Sequence, residues 1–424
     1  MYRQILSSKF NKNVLWNVAS LGILGLGGVA INLIITGFQD SEALGIFNQV
    51  YAIYIILSQI GVGGLQFSVL KHVSHNQDDL AKCADITVAA LILVAIITSL
   101  VCVTTYFLAD IVGLLLDSIH VKLGLQFAVP GLLFFALNKV LINTLNGLHY
   151  MKAYAAFRSL RFILIPLSIL VIIVLRLPAP YLSLSLAISE ALLFVALITF
   201  VNMRVFSLKA TSGVRSWFPE HLSFGSRGVL SGVFIEMNTR IDVLMLGYFS
   251  TDAVVGVYSF AATLAEGFAQ IPLAIRWNVD PIIGRHFANQ ETHRIREIAR
   301  KIRRIFYPIM GLIGVVAVLL YPVFFNLWIH DGSTTTSWAV FAIIMFGVII
   351  NAGYRPFTGI MLQGGRPGTY TLFIVGLVLG DALLNLFFIP TFGIHGAAAV
   401  TGLTYILEAV LLVTCARKLF KVRL

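Results

Sequence analysis

The sequence predicts an all-α polytopic membrane protein of twelve transmembrane helices, arranged as two six-helix halves. Three observations carry that prediction: a composition too apolar for water, twelve apolar runs of membrane-spanning length, and a bias of basic residues toward alternate connections. Of the 424 residues, 58% are hydrophobic and only 12% charged, and the mean hydropathy is +0.90. Soluble domains carry about 25% charged residues, so most of this chain's exterior has to face lipid.

A helix needs about 20 mostly apolar residues to cross the hydrocarbon core. Such runs occupy roughly 14–36, 44–70, 83–108, 122–146, 158–175, 181–202, 224–249, 255–275, 305–329, 338–361, 370–389 and 396–416, referred to below as spans 1 to 12. Span 1 is too long for a signal-peptide core and lacks a small-residue cleavage site after it, so it is expected to persist. The eight residues after span 12 leave no room for a thirteenth.

On one side of the membrane the segments 1–13, 71–82, 147–161, 203–227, 276–304, 362–369 and 417–424, which take in the first residues of spans 5 and 7, hold 25 of the 30 Lys and Arg residues, and the opposite connections hold only Lys122 and Arg176. The positive-inside rule then places both termini in the cytoplasm. It also explains the net charge of +11 as topology and attraction to anionic membrane lipid, so no nucleic-acid partner is implied. Within the largest basic connection, residues 285–304 (RHFANQETHRIREIARKIRR) set Ile295, Ile298, Ala299 and Ile302 opposite a basic face. That pattern is expected of an amphipathic helix on the membrane surface.

A shift of 211 residues aligns Gly45-Ile46-Phe47-Asn48 with Gly256-Val257-Tyr258-Ser259, and Gln59-Ile60 with Gln270-Ile271. Six spans return the chain to the side it started from, so the halves would be parallel repeats about an axis normal to the membrane. The expected division is an N-lobe over 1–202, a cytoplasmic linker over 203–223 and a C-lobe over 224–424. Three widely spaced cysteines, Cys83, Cys102 and Cys415, give neither a disulfide framework nor a metal-ligand pair. No phosphate-binding loop motif occurs, and Gly25, Gly27 and Ala30 of GLGGVA follow no strand, so close helix packing is expected there and no cofactor or metal is assigned.

Three stretches resemble the multidrug/oligosaccharidyl-lipid/polysaccharide exporter superfamily, and within it the Wzx-type polysaccharide-unit (O-antigen) flippases. They are NTRIDVLMLGYFSTDAVVGVYSFAATLAEGFAQIPLAIR at 238–276, LGIFNQVYAIYIILSQIGVGGLQFSVLKHVSH at 44–75, and IPTFGIHGAAAVTGLTYILEAVLL at 389–412. The resemblance implies two six-helix lobes around a central cavity. It also implies a non-enzymatic flippase that moves an undecaprenyl-diphosphate-linked oligosaccharide from the cytoplasmic to the periplasmic face of the bacterial inner membrane, with a polysaccharide polymerase and glycosyltransferases as expected partners. An ion-coupled multidrug exporter of the same superfamily is the alternative. Lipid II flippases are similar as well, but carry two further helices.

Ionisable residues within spans are expensive and usually face a cavity or a partner. A diphosphate needs cations, and Lys139, Arg240 and Arg355 lie deep enough to supply them; Arg offers bidentate contacts. Glu236 lies four residues before Arg240, the spacing of an intrahelical ion pair, and Lys139 and Arg355 lie toward span ends, where snorkelling competes. Glu236, Asp242 and Asp381 are the candidates for coupling transport to H+ or Na+. Glu190, Glu266 and Glu408 are expected mainly to pack.

Overall fold

The computed structural model describes residues 8–209, 213–327, 332–422 and 424. Among the described residues there are fourteen α-helices and no strand. In chain order these are α1 (Ser8–Phe38), α2 (Ser41–Val62), α3 (Leu65–His75), α4 (Leu80–Leu115), α5 (Ile119–Gly147), α6 (Met151–Val174), α7 (Leu184–Arg204), α8 (Trp217–Met237), α9 (Ile241–Phe249), α10 (Asp252–Ala288), α11 (Thr292–Asn326), α12 (Thr334–Ala352), α13 (Ile360–Gln363) and α14 (Pro367–Phe420).

Nine helical segments among the described residues are long and apolar enough to cross a membrane. Three features relate them to the twelve spans. The 54-residue α14 turns at Gly393, whose φ of 57° and ψ of −134° are not helical, so it comprises spans 11 and 12. Span 1 lies in α1, and span 7 is divided between α8 and α9 by residues 238–240. Span 2 is likewise bent, at Gly63 and Gly64, whose φ angles of 57° and 73° place consecutive residues in the left-handed region that glycine tolerates. That elbow also admits α8: a Cβ on Gly64 would stand 2.7 Å from the Gly225 carbonyl oxygen, and one on Gly225 would stand 2.4 Å from that of Gly63.

The exterior is apolar. Along α4, Leu100, Phe107 and Leu114 recur every two turns and are 69%, 73% and 81% exposed. Such a stripe is a liability in water and a fit to lipid. Inside, small residues let helices approach closely: a Cβ on Gly27 would lie 2.7 Å from the Phe162 carbonyl oxygen, so the GLGGVA stretch packs α1 onto α6.

By internal contact the chain forms two compact units. Unit 1 comprises residues 1–39 and 46–236, and unit 2 comprises 40–45 and 237–424. Residues 217–223 of the sequence-based linker, 203–223, form the first turns of α8, which up to Glu236 belongs to unit 1; residues 210–212 fall outside the described ones. One side chain accounts for much of that attachment. His221, in the second turn of α8, is fully buried; its Nε2 is 3.0 Å from the Ile86 carbonyl oxygen and its Nδ1 is 2.9 Å from the Ser68 hydroxyl. A carbonyl only accepts, so Nε2 carries the proton and Nδ1 accepts from Ser68.

Burial is the main cause that lowers the His221 pKa to about 4, opposed by the hydrogen bond to Ile86; neighbouring His72 lowers it further and Glu220 raises it. Lys71 and His75 add to the positive surroundings through His72. Because the folded pKa lies below the unfolded value of about 6.5, the neutral form stabilises the fold fully above pH 6.5, and that contribution is lost as pH falls toward 4. Thermal melting in detergent is expected to show a loss on the order of 3 kcal/mol across this window. His221→Phe is expected to melt lower at pH 7.5 and to show less decline on acidification; parallel pH profiles for both proteins would refute the assignment.

The expected surface helix over 285–304 is not a separate element. Residues 285–288 end α10, and 292–304 are the first turns of α11, continuous with span 9. The Ile295 and Ala299 face lies in the core of unit 2 with Val279, Ile283, Phe357, Ile360 and Leu412, and Ile298 and Ile302 pack against it. The amphipathic pattern is real, but protein rather than lipid covers its apolar face.

Candidate functional site

The ionisable residues that the sequence places within spans are divided between the two units. In unit 1, α5 and α7 pack together and carry Asn138 and Glu190. Asn138 Nδ2 donates to the Glu190 side chain at 2.8 Å and to its carbonyl at 2.9 Å. Arg161 of α6 completes the group through an ion pair with Glu190, and its guanidinium lies over the Phe135 ring, 4.0 Å from the centroid. The sequence reading assigned Arg161 to a connection, yet its side chain is only 15% exposed. The available signal was Glu190 itself, since a carboxylate buried in a span calls for a cation nearby.

Lys139 lies beside this group. Its Nζ donates to Ser58 Oγ at 3.1 Å, sits 4.5 Å from the Phe135 centroid, and interacts electrostatically with Glu236, Arg161 and Glu190. Glu236, at the end of α8, accepts from Gln59 Nε2 at 2.9 Å, and Gln66 Nε2 donates to Gln59 at 3.3 Å. The unbroken helix that the four-residue spacing of Glu236 and Arg240 assumed is not present. The helix ends at Met237, and Arg240 caps α9 with a φ of −135°, so the two are not successive turns of one helix.

Unit 2 contains Arg240, Asp242, Arg355 and Asp381. Asp242, in the first turn of α9, accepts from Tyr258 OH and from its neighbour's backbone, Val243 N–H, at 2.9 Å. Tyr258 OH is 2.7 Å from Thr401 Oγ1, which reaches Asp242 at 3.4 Å. On α14, Asp381 accepts from Thr404 Oγ1 at 2.7 Å and from Asn385 Nδ2 at 3.0 Å, and it interacts electrostatically with Asp242. Two carboxylates from different helices, ringed by hydroxyls and an amide, form an oxygen-rich set suited to a proton or a small hard cation. Arg240 interacts electrostatically with Asp242 and Glu266.

Arg355 sits in a short 3₁₀ turn, Arg355–Phe357, just after α12. Its guanidinium lies 5.1 Å from the Tyr405 centroid and interacts electrostatically with Glu408, Tyr405 and Glu266. Its Nε and Nη1 are buried without a hydrogen-bond partner. Glu408 is held by Asn351 Nδ2. The same construction thus occurs twice: an Asn on span 4 or span 10 donates to a Glu on span 6 or span 12, and an arginine stacked on an aromatic ring lies beside the Glu. The copies differ in one respect. Arg161 makes a direct ion pair with its Glu, whereas Arg355 has a side-chain hydrogen bond with Tyr405 and an electrostatic interaction with Glu408, and both its Nε and its Nη1 lack a hydrogen-bond partner. Buried polar groups are hydrogen-bonded as a rule because desolvating them without compensation is costly, and Arg355 departs from that rule at two donors. Among the described residues no group of three or more His, Cys, Asp or Glu could hold a metal ion.

The family model of polysaccharide biosynthesis proteins matches residues 10–271, more than half of the sequence. The chain belongs to that family. No curated protein matches the sequence significantly. Solved structures match almost end to end. The lipid II flippase MurJ in an inward closed conformation has a TM-score of 0.76 at 14% identity, over 96% of this chain and 88% of that one. An inward-facing multidrug resistance MATE family transporter of the MOP superfamily has a TM-score of 0.75 at 13% identity, over 92% and 93%. A MOP superfamily transporter from Pyrococcus furiosus, described as having a binding pocket of reversed polarity, has a TM-score of 0.62 at 15% identity, over 96% and 95%.

This polysaccharide biosynthesis family member therefore has the fold of a MOP-superfamily transporter and is a multi-pass membrane protein. At such identities the likeness establishes the fold, and the chemistry has to be argued from the chain's own residues. Of the predicted site residues in unit 2, Asp242 and Asp381 interact electrostatically with each other, and Arg240 and Arg355 each interact electrostatically with Glu266. Lys139 and Glu236 belong to unit 1.

Proposed function

We propose that the chain is a flippase that carries undecaprenyl-diphosphate-linked oligosaccharide units from the cytoplasmic to the periplasmic face of the bacterial inner membrane. Two six-helix lobes alternate in access, the diphosphate and glycan travel through a hydrated cavity, and the polyprenyl chain stays in lipid. No bond is made or broken. The observation that carries this reading is Arg355, whose buried Nε–H and Nη1–H have no acceptor, in a member of a polysaccharide biosynthesis family. Donors in that state suit an anionic diphosphate and not an organic cation, which favours the flippase over a multidrug exporter of the same fold. Arg240 and Lys139 are the additional cations for the head group.

Cells lacking the chain are expected to accumulate the lipid-linked oligosaccharide on the cytoplasmic face and to lose the exported glycan, O-antigen being the expected class. Normal export in a strain with no redundant carrier would count against the assignment.

Coupling is assigned to Asp242 and Asp381. A proton or Na+ bound between them would neutralise two buried carboxylates that otherwise repel, so its binding and release can bias the conformation of unit 2. Asp381→Asn is expected to reduce gradient-driven transport in proteoliposomes to the rate seen with no gradient, while leaving substrate binding within about twofold, well under the 1.4 kcal/mol that a tenfold change represents. A variant that still responds to a Na+ or proton gradient as wild type does would remove Asp381 from the coupling site.

A further inference from the structure

The first turns of α11 carry six basic residues, and five of them, Arg294, Arg296, Arg300, Lys301 and Arg304, are exposed. Arg303 differs. It is partly buried, its Nη1 donates to Tyr354 OH at 3.2 Å, and its guanidinium lies 5.4 Å from the centroid of that ring. Its Nε is buried with no hydrogen-bond partner, and no carboxylate pairs with it among the described residues. An arginine kept for structure alone is expected to have a counter-ion, as Arg161 has Glu190. Arg303 is oriented by a neutral phenol, which fixes its direction and leaves its full charge for an incoming anion.

Arg303 and Tyr307 pack against backbone that carries no side chain. Gly353 has no side chain where a Cβ would stand 2.9 Å from Arg303 Cγ and 2.8 Å from Tyr307 Cζ, and Tyr307 OH is itself anchored to the Ile350 carbonyl at 3.1 Å. Tyr354, which holds Arg303, is the residue before Arg355. Two arginines with unpartnered buried donors are therefore tied to adjacent positions of the turn that follows α12. Arg303 is also where the basic face of α11 meets its apolar run, which begins near residue 305.

We propose that Arg303 is a diphosphate-receiving residue at the basic rim of unit 2, holding the head group of a lipid diphosphate before Arg355 takes it. The proposal rests on the flippase reading above and adds a second anion subsite to it. The recognised chemistry is a diphosphate; an anionic phospholipid head group is the other source of phosphate oxygens.

The test uses the full chain in neutral detergent, with geranyl diphosphate as the calorimetric probe and dihexanoyl phosphatidylglycerol as the competing lipid. Arg303→Gln is expected to weaken geranyl diphosphate about tenfold, the effect of losing one charge-assisted contact. Arg303→Lys is expected to restore part of the loss, and the exposed-face control Arg296→Gln to bind as wild type. The phospholipid is expected not to displace the diphosphate. Melting temperatures of the three variants control for folding. Wild-type affinity in Arg303→Gln, when Arg355→Gln has lost it, would overturn this proposal alone. Equal losses in Arg296→Gln and Arg303→Gln would overturn it in favour of a diffuse basic field, and displacement by the phospholipid would overturn its choice of ligand. Wild-type protein that binds no geranyl diphosphate would overturn the flippase reading and this subsite together.

Discussion

Arg355→Gln is expected to abolish net transport of a lipid diphosphate by a protein that still folds. Glutamine keeps a polar side chain of similar length but loses the charge and the fork of N–H donors. The two donors without partners, Nε–H and Nη1–H, are charge-assisted, and such bonds are worth about 1.5–3 kcal/mol each. Losing both weakens diphosphate binding by roughly a hundredfold or more. Folding should suffer less, because the neighbouring carboxylates keep other contacts: Glu408 is held by Asn351 and Glu266 interacts with Arg240. Arg161→Gln is the informative contrast. Removing a cation already committed to Glu190 leaves that buried carboxylate with Asn138 as its hydrogen-bond donor and without its ion pair, a loss of about 3–5 kcal/mol for a broken buried pair. The expected pattern is therefore normal melting with lost binding for Arg355→Gln, and lowered melting for Arg161→Gln. Reversal of that pattern would mean that the two copies of the Asn–Glu–Arg construction have been assigned the wrong way round.

The second large effect concerns the backbone. A Cβ on Gly256 would stand 1.7 Å from the Ser41 carbonyl oxygen, and a Cβ on Gly45 would stand 1.8 Å from that of Asp252. The relation is reciprocal: Ser41 and Gly45 meet Asp252 and Gly256, and each partner is the other's equivalent under the shift of 211. No side chain can yield at these distances, so even alanine must push α2 and α10 apart. Gly256→Val is expected to destabilise the protein by at least the 1–3 kcal/mol typical of overpacking, lowering its melting temperature in detergent. Gly45→Ala and Gly256→Ala together should cost much less than the sum of the two, because the first already opens the crossing that the second would obstruct. Unchanged melting in both single variants, or strict additivity, would refute the contact.

Much of this was legible in the sequence because it depends on composition and spacing. The twelve apolar runs correspond to helices, and the Gly45 and Gly256 alignment found in a weak repeat proves to be a physical contact. The twice-built Asn–Glu pair was not legible, because Asn138 and Asn351 are separated by a different interval from Glu190 and Glu408, so no single shift aligns both. Hydropathy shows where polar residues begin but not where a helix ends. For that reason Arg161 was assigned to a connection, the first turns of α11 to a surface helix, and Glu236 and Arg240 to successive turns of a helix that stops between them. Arg303 was missed likewise: beside five exposed cations nothing in its spacing marks it, and only the absence of a side chain at Gly353 and the placement of Tyr354 turn it inward.

The most direct test is translocation in reconstituted liposomes. A fluorescent polyprenyl-diphosphate oligosaccharide is incorporated with the wild-type chain or with Arg355→Gln, and a membrane-impermeant quencher reports how much of it crosses between leaflets. Movement across the bilayer by the wild type, its loss in folded Arg355→Gln, and no movement of the same lipid without its diphosphate are the expected results. A wild-type protein that moves no lipid-linked saccharide under any ion gradient, yet extrudes an organic cation, would contradict the assignment and make the chain a drug exporter of the same fold.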